Sequence, residues 1–429
     1  MDVALRNNPS TQASWAEARA AAAGYSAARA AYLPTVHLEA STTAKNTAST
    51  SSPAIAQLAS GPALGLSWLL LDRGRDAALQ SARQTVLAAN WGHNANLQEA
   101  VLAVQKAYFQ YNAAKASVTA AQADLDRASE HLTASEAMRQ AGVATIADVL
   151  QTKAAESQAR LALQTARGMV LANRGTLASV MGVPATLPID TADPVDPVVP
   201  GEVLPRVENL VAQALSQRPD LAAARARAAA SEAQARKAEA AGLPTLAATG
   251  SLGTTWHQME TNSSSASPDR REDVVSAGLA LKIPLFSGYA ITANAAKARA
   301  EAEGQADRAR GLGQQVIAQV FQSAASLHTA GEKIRSSADF LEAAAQSEQV
   351  ATARFREGVG TVQEMVSALA VLANARAQAI QARLQWSTSL AQLARDVGAL
   401  GLDGGTPNIL QAVPAGVGGL SHQKMDQSP

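Results

Sequence analysis

Two carboxylates stand at matched places in this chain. Asp148 follows Gly142 by six residues, and Glu364 follows Gly358 by six, within the similar runs "AGVATIADVL" and "EGVGTVQEM". An acid just inside a helix is favoured by the helix macrodipole, so each reads at minimum as a solvated helix-start acid. Little else in the sequence could do chemistry. The histidines (His37, His93, His131, His257, His328 and His422) are scattered without metal-ligand spacing. There is no Gly-rich phosphate loop and no nucleophile elbow. With no cysteine there is no disulfide, thiolate–metal site, cysteine nucleophile or lipid-bearing cysteine. Lys plus Arg (36) equals Asp plus Glu (36), which gives no reason to expect nucleic acid. The sequence therefore predicts no catalysis, no cofactor and no metal.

The elements that carry these acids come in two copies. "ALRNNP" (Ala4 to Pro9) answers "ALSQRP" (Ala214 to Pro219), and Leu33-Pro34-Thr35 answers Leu243-Pro244-Thr245. "WLLLDRGR" (Trp68 to Arg75) answers "KIPLFSGY" (Lys282 to Tyr289), and "RQAGVATIADVL" answers "FREGVGTVQEMV". One order of landmarks met twice is a repeat. Repeat 1 is expected over 1–182, a Pro-rich linker over 183–205, repeat 2 over 206–400 and a loosely ordered Gly-rich tail over 401–429. Each repeat opens with an Ala-rich helix (10–31 and 206–241) that Leu-Pro ends. Each then has two alternating segments around a Ser/Thr/Asn/Pro-rich loop (45–60 and 257–273). A proline-free stretch follows with apolar residues at steps of seven: Leu97, Val104, Tyr111, Val118, Leu125 and Leu132 in one copy, and Val320, Leu327, Ile334 and Leu341 in the other, where the same step meets Glu348 and then Phe355. Such a seam predicts coiled-coil-like packing of helices about 100 Å long. After Gly142 and Gly358, second helices (145–182 and 361–398) are expected to run back antiparallel.

The alternating segments raise a choice. Val36, Leu38 and Ala40 share one face. So do Leu64, Leu66, Trp68 and Leu70, then Leu246, Ala248, Gly250 and Leu252, and finally Val275, Ala277, Leu279, Leu281 and Ile283. The opposite faces carry Thr, His, Glu, Ser and Lys. The pattern suits strands with lipid outside and water inside, and equally a soluble sheet on a core. A segment length near 10–12 residues, with Trp68, Phe286, Tyr32 and Tyr289 at one end and Trp256 at the other, matches a tilted strand in a bilayer. Four strands cannot close a barrel, so the membrane reading requires further chains. The competing reading is a soluble coiled-coil scaffold. No run approaches the 18 or so apolar residues of a membrane helix. No signal peptide precedes the first helical pattern, which implies an intracellular, processed or truncated chain.

The ordered set resembles the TolC family of outer membrane efflux channels. "ALRNNP", "ALSQRPDL", both Leu-Pro-Thr lead-ins, "LLLDRGR", "IPLFSGY", "AYFQYNAA" and the two glycine turns carry the likeness, which covers nearly the whole chain. It implies a mainly α fold with a small β part: duplicated helical hairpins forming an α-barrel in the periplasm, and four strands per chain completing a trimeric β-barrel. It also implies a passive duct in the outer membrane of a Gram-negative bacterium, serving tripartite efflux or type I secretion. The duct would contact outer-membrane lipid and be docked by a periplasmic adaptor and an inner-membrane pump. The lipid-anchored branch of the family begins with cysteine, so the unlipidated form is assigned here. The glycine turns become helical-hairpin tips, with Arg139, Gly142, Val143 and Thr145 in one and Arg354, Gly358, Val359, Gly360 and Thr361 in the other as adaptor-docking residues. The same glycines could merely supply a left-handed helix end. In the family an acid at the Glu364 position narrows the closed mouth, and a second often follows one turn later. Ser367 stands in that second place, and Asp148 is the first repeat's counterpart. Three copies of Glu364 would form one carboxylate ring attracting cations.

Overall fold

The computed structural model describes residues 2–49, 52–191, 206–261 and 270–400. The expected tail over 401–429, most of the Pro-rich linker and His422 lie outside them. The element order is α1 (Asp2–Asn7), α2 (Pro9–Ala30), β1 (Thr35–Ser49), β2 (Ser52–Leu71), α3 (Arg73–Gln140) and α4 (Ile146–Val180). The same succession then returns as α5 (Val207–Gln217), α6 (Pro219–Ala240), β3 (Thr245–Thr261), β4 (Arg270–Lys282), α7 (Ala290–Arg356) and α8 (Val362–Val397). The chain is mainly helical with one small antiparallel sheet. Among the described residues no helix is long and apolar enough to cross a membrane.

The single Ala-rich helix expected over 206–241 is two helices, parted at Arg218. The cause is Pro219: the residue before a proline is pushed out of the helical region, while the proline itself suits a helix's first turn. Pro9 parts α1 from α2 at Asn8 in the same way. These breaks are also docking points. A Cβ on Gly182 would lie 2.6 Å from the Asn7 carbonyl, and one on Gly398 would lie 3.1 Å from the Arg218 nitrogen. Both glycines have positive φ, so they end their helices and allow close backbone approach at once. Asn8 Nδ2 donates to the Val180 carbonyl at 3.1 Å. Arg218, itself buried, donates to Asp220 Oδ2 (2.5 Å) and Gln319 Oε1 (2.8 Å). Burial would raise the Asp220 pKa, but the Arg218 guanidinium outweighs it and holds the carboxyl below its usual range.

The chain divides into two compact units. The first comprises Met1–Ser14, His93–Leu221 and the described part of Leu312–Pro429. Its core has large side chains: Val101, Leu102, Val316, Val320, Leu327, Trp386, Leu393 and Val397. Six of the seam residues, Val104, Tyr111, Val320, Leu327, Glu348 and Phe355, are buried there. The second unit comprises Trp15–Gly92 and Ala222–Gly311. Every buried hydrophobic residue described in it is an alanine: Ala18, Ala77, Ala88, Ala223, Ala226, Ala233, Ala235 and Ala240. Alanine lets helices approach closely but buries little area per residue, so this unit has no thick core of its own.

The second unit holds the sheet, in the order β1-β2-β3-β4. Residues 45–49 and 52–60, expected as loop, are strand, as are 257–261 and 270–273. Their Ser, Thr and Asn content resembles a loop, but ladder pairs such as Lys45↔Gln57 and Thr43↔Ala59 satisfy the backbone, which decides the structure. Within β2, Pro62 has no N–H to donate, and β3 pairs with Ser60 and Ala63 on either side of the gap.

Candidate functional site

The register joins the four apolar faces into one. Leu38 faces Leu64, Leu64 faces Leu252, and Leu252 faces Val275. One row on, Val36, Leu66, Gly250 and Ala277 stand in line, followed by Trp68, Ala248 and Leu279, and then Leu246 and Leu281. Two expectations need correcting. A bulge between Leu69 and Leu71 places Leu71, not Leu70, opposite Leu246, so the face continues through the later residue. Ile283 lies just past the end of β4 rather than within it.

None of this face is covered. Leu38 is 75% exposed, Val275 76% and Leu279 72%; Val36, Leu64, Leu66, Trp68, Leu252, Leu281 and Ile283 are exposed as well, and Leu246, Ala248 and Gly250 of β3 are half-buried. A soluble sheet would pack this face on its own core, and here it does not. Left in water, these side chains would cost on the order of 10 kcal/mol. Trp68 and Trp256 lie on this face, in rows set by Ala248 and by Trp256 itself, about 26 Å apart along β3. Between them the rows from Ala248 to Leu252 are uncharged on this face, while Asp273 lies opposite Thr254 and Arg271 opposite Trp256; an apolar band edged by aromatic residues suits the outer surface of a membrane barrel. Trp68 is fixed there, its Nε1 donating to the Tyr32 carbonyl at 3.0 Å. The opposite face is small and polar. His37 lies over Gly65, where any Cβ would collide with the imidazole, and Ser251 and Ser276 share a hydrogen bond at 2.8 Å. At the two ends of the sheet, β1 and β4 have unpaired edges.

The first unit holds both glycine turns. In one, the Val143 N–H donates to Met138 O (2.9 Å) and the Gly142 N–H to Arg139 O (3.0 Å). In the other, Val359 donates to Arg354 O and Gly358 to Phe355 O, each at 3.0 Å. Both are Schellman turns, with Gly142 at φ 78° and Gly358 at φ 74°. Met138 of the first turn packs against Phe355, Val362 and Met365 of the second. Arg139, Gly142, Val143, Thr145, Arg354, Gly358, Val359 and Thr361 are exposed, whereas Gly360 is half-buried, close against the Arg354 side chain.

The two matched acids differ in what they do. Asp148 closes a capping box: its carboxylate accepts from the Thr145 backbone (2.8 Å) and hydroxyl (2.7 Å), and its own N–H donates to Thr145 Oγ1. The Thr145 hydroxyl and backbone hold its pKa below the usual carboxylate range. Glu364 donates its N–H to Thr361 Oγ1 at 3.1 Å, but its exposed carboxylate has no hydrogen bond or ion pair among the described residues. Ser367, also exposed, accepts from Gln363 Nε2 at 3.2 Å. A Gln151–Gln363 hydrogen bond joins the two helix starts.

One cluster was not found by reasoning from residue type. Glu348, 3% exposed, pairs with Arg127 and lies 3.5 Å from His131 Nε2, and Thr352 donates to it at 3.1 Å. Arg376 pairs with Asp124 in the same unit. Burial pushes Asp124 above its ordinary value against the pull of Arg376, and pushes His131 down against the pull of Glu348. The signal in the sequence was Glu348 itself, a charge at a seam position where only apolar residues were expected. Among the described residues, no group of three or more His, Asp or Glu side chains could hold a metal ion.

Three comparisons bear on this architecture. The family model described as outer membrane efflux protein matches residues 1–183 and 210–399. Protein CyaE of Bordetella pertussis is 32% identical over 422 residues, which is 95% of this chain and 85% of that one. Among solved structures, the outer-membrane channel OprN superposes with a TM-score of 0.81 at 21% identity, covering 92% of this chain and 88% of that one. The outer membrane protein VceC of Vibrio cholerae gives 0.78 at 19% identity, covering 92% and 94%. The chain belongs to the outer membrane efflux protein family, and it is an outer membrane exit channel reaching into the periplasm.

Proposed function

We propose that three copies of this chain close one barrel of twelve strands, with the Leu38–Leu279 face against lipid and the His37–Ser251 face against water. The observation that supports this is the single exposed apolar face running across all four strands, bounded by two unpaired edges. In hydrocarbon an open edge leaves several N–H and C=O groups unsatisfied, so only closure by other chains makes the sheet viable. The duct is passive and non-enzymatic, and the driving energy comes from an inner-membrane pump reached through a periplasmic adaptor. The adaptor docks on the two Schellman turns, where Val143 and Val359 stand out as exposed apolar knobs flanked by Arg139 and Arg354. Glu364 contributes one carboxylate per chain to the periplasmic mouth, while Asp148 serves as a helix cap. The system served is tripartite efflux or type I secretion. Native mass spectrometry of the detergent-solubilised full chain tests the assembly: three copies are expected, and a monomer across the working concentration range would refute it.

A further inference from the structure

We propose that β4 joins β1 of the next copy in one fixed register, with Leu281 facing Ala40, Ile283 facing Leu38 and Leu285 facing Val36. We also propose that the exposed segment Leu285–Tyr289 packs on that copy's α2–β1 corner. This rests on the three-copy reading above and adds the register, which follows from the chain's own repetition. Thr35 pairs with Ser67 in the first hairpin, and Thr245 with Lys282 in the second. The Leu-Pro-Thr lead-ins make Thr35 the counterpart of Thr245, so Ser67 is the counterpart of Lys282, Leu66 of Leu281 and Trp68 of Ile283. Inside one chain the seam between repeats pairs Leu66 with Gly250 and Trp68 with Ala248. Carried one repeat onward, those pairs become Leu281 with Ala40 and Ile283 with Leu38 of the next copy. Past the β2 bulge, Gly74 aligns with Gly288 and Leu71 with Leu285, so the Leu71↔Leu246 pair becomes Leu285 with Val36. The β2 bulge holds one residue that the second repeat lacks, so the transposed pairs keep one register across Pro284, which donates no N–H to the ladder. Every pair keeps apolar side chains on the apolar face, as a period of two demands.

The second observation is an uncovered surface where its counterpart is covered. A Cβ on Gly74 would lie 3.7 Å from the Lys237 carbonyl and 3.8 Å from the Ala240 methyl. Its counterpart Gly288 has nothing within 4 Å. Leu285 is 93% exposed, and Phe286 and Tyr289 are exposed beside it, stacked edge-to-face at 5.7 Å. The counterparts of Lys237 and Ala240 are Ala27 and Ala30, both exposed at the end of α2. They are the surface that the Leu285 segment lacks in one chain and meets in the assembly. All residues of β4 and those described in β1 are exposed, whereas β2 and β3 have half-buried positions throughout.

The chain has no cysteine, so an introduced pair is the only one present. Two matched double variants, Leu281→Cys with Ala40→Cys and Ile283→Cys with Leu38→Cys, are oxidised in detergent and run denatured without reductant. The main band is expected to shift from one-chain to three-chain mass. Pairs displaced by four residues, Leu281→Cys with Val36→Cys or with Ala44→Cys, are expected to stay at one-chain mass. Native mass of each reduced variant establishes assembly before oxidation, and either matched pair suffices if the other fails to assemble. An intact trimer that cross-links only at a displaced pair, or at neither matched pair, overturns the register and leaves the trimer standing. A monomeric wild type removes the trimer and the register together.

Discussion

Glu348 Oε1 lies 3.5 Å from His131 Nε2, both side chains almost sealed from water, with Arg127 on the same carboxylate. A sevenfold apolar seam is thus interrupted by a charge that the facing helix has to answer. Desolvation lowers the pKa of His131, and the negative Glu348 only partly restores it. Of the other charges that act on the ring, Arg356 also lowers its pKa and Glu130 raises it.

The sign of the resulting pH dependence follows. The unfolded chain binds a proton at His131 near pH ~6.5 while the folded chain resists it until lower pH. Stability is therefore complete above about pH 6.5 and falls as the pH drops toward the folded pKa. Thermal melting in detergent should show a lower Tm at pH 5.5 than at pH 7.5, and His131→Gln should flatten that slope. An unchanged slope in the variant would remove His131 as its source.

The two partners of the ion pair should respond unequally. Arg127→Ala strands a buried carboxylate, at a cost of roughly 3 kcal/mol. Glu348→Leu restores an apolar seam residue, and the partly exposed Arg127 can turn to solvent, so its cost should stay below about 1 kcal/mol. Urea unfolding of both variants measures the difference, and equal losses would contradict this account of the cluster.

A lysine on either side of the sheet separates lipid from water. Leu252→Lys places a charge on the apolar face midway between the Trp68 and Trp256 rows and should cost roughly 2–4 kcal/mol near the bilayer midplane, lowering the amount recovered in the outer membrane. Thr249→Lys, on the polar face opposite Gly278, should be recovered at the wild-type level. Equal recovery of the two variants would indicate that the faces are not sorted as described.

The two acids give a third contrast. Glu364→Gln removes an unpaired carboxylate and should lower the cation-to-anion permeability ratio, read from the reversal potential in a salt gradient. Asp148→Asn disturbs a capping box, so it should cost about 1 kcal/mol of stability and leave the ratio unchanged. A ratio that follows Asp148 instead would reassign the mouth.

Much of this fold was legible because it rests on local rules repeated twice. Leu-Pro-Thr ended the helices, glycine marked the turns, and period two put Leu38, Leu64, Leu252 and Leu279 each on the apolar side of its own strand, leaving the register to join those sides into one face. What failed was non-local. The polar stretches 45–49 and 52–60 read as loop because their strand character comes from β1–β2 pairing and not from composition. The shift from Leu70 to Leu71 depends on a bulge, and bulges leave no mark in alternation. The helix break at Arg218 was within reach, since Pro219 follows it. At the candidate site, sequence could match Asp148 with Glu364 but could not tell a capped carboxylate from a free one. Glu348 was visible as a seam residue, and its partners Arg127 and His131 were not, because they lie more than two hundred residues away along the chain.

The central claim is that the Leu38–Leu279 face meets lipid around a water-filled lumen closed by several copies. Recording from a planar lipid bilayer to which the purified full chain has been added tests it most directly. Stepwise, uniform conductance increments are predicted. A protein that assembles in detergent and enters the bilayer yet carries no current would contradict the account.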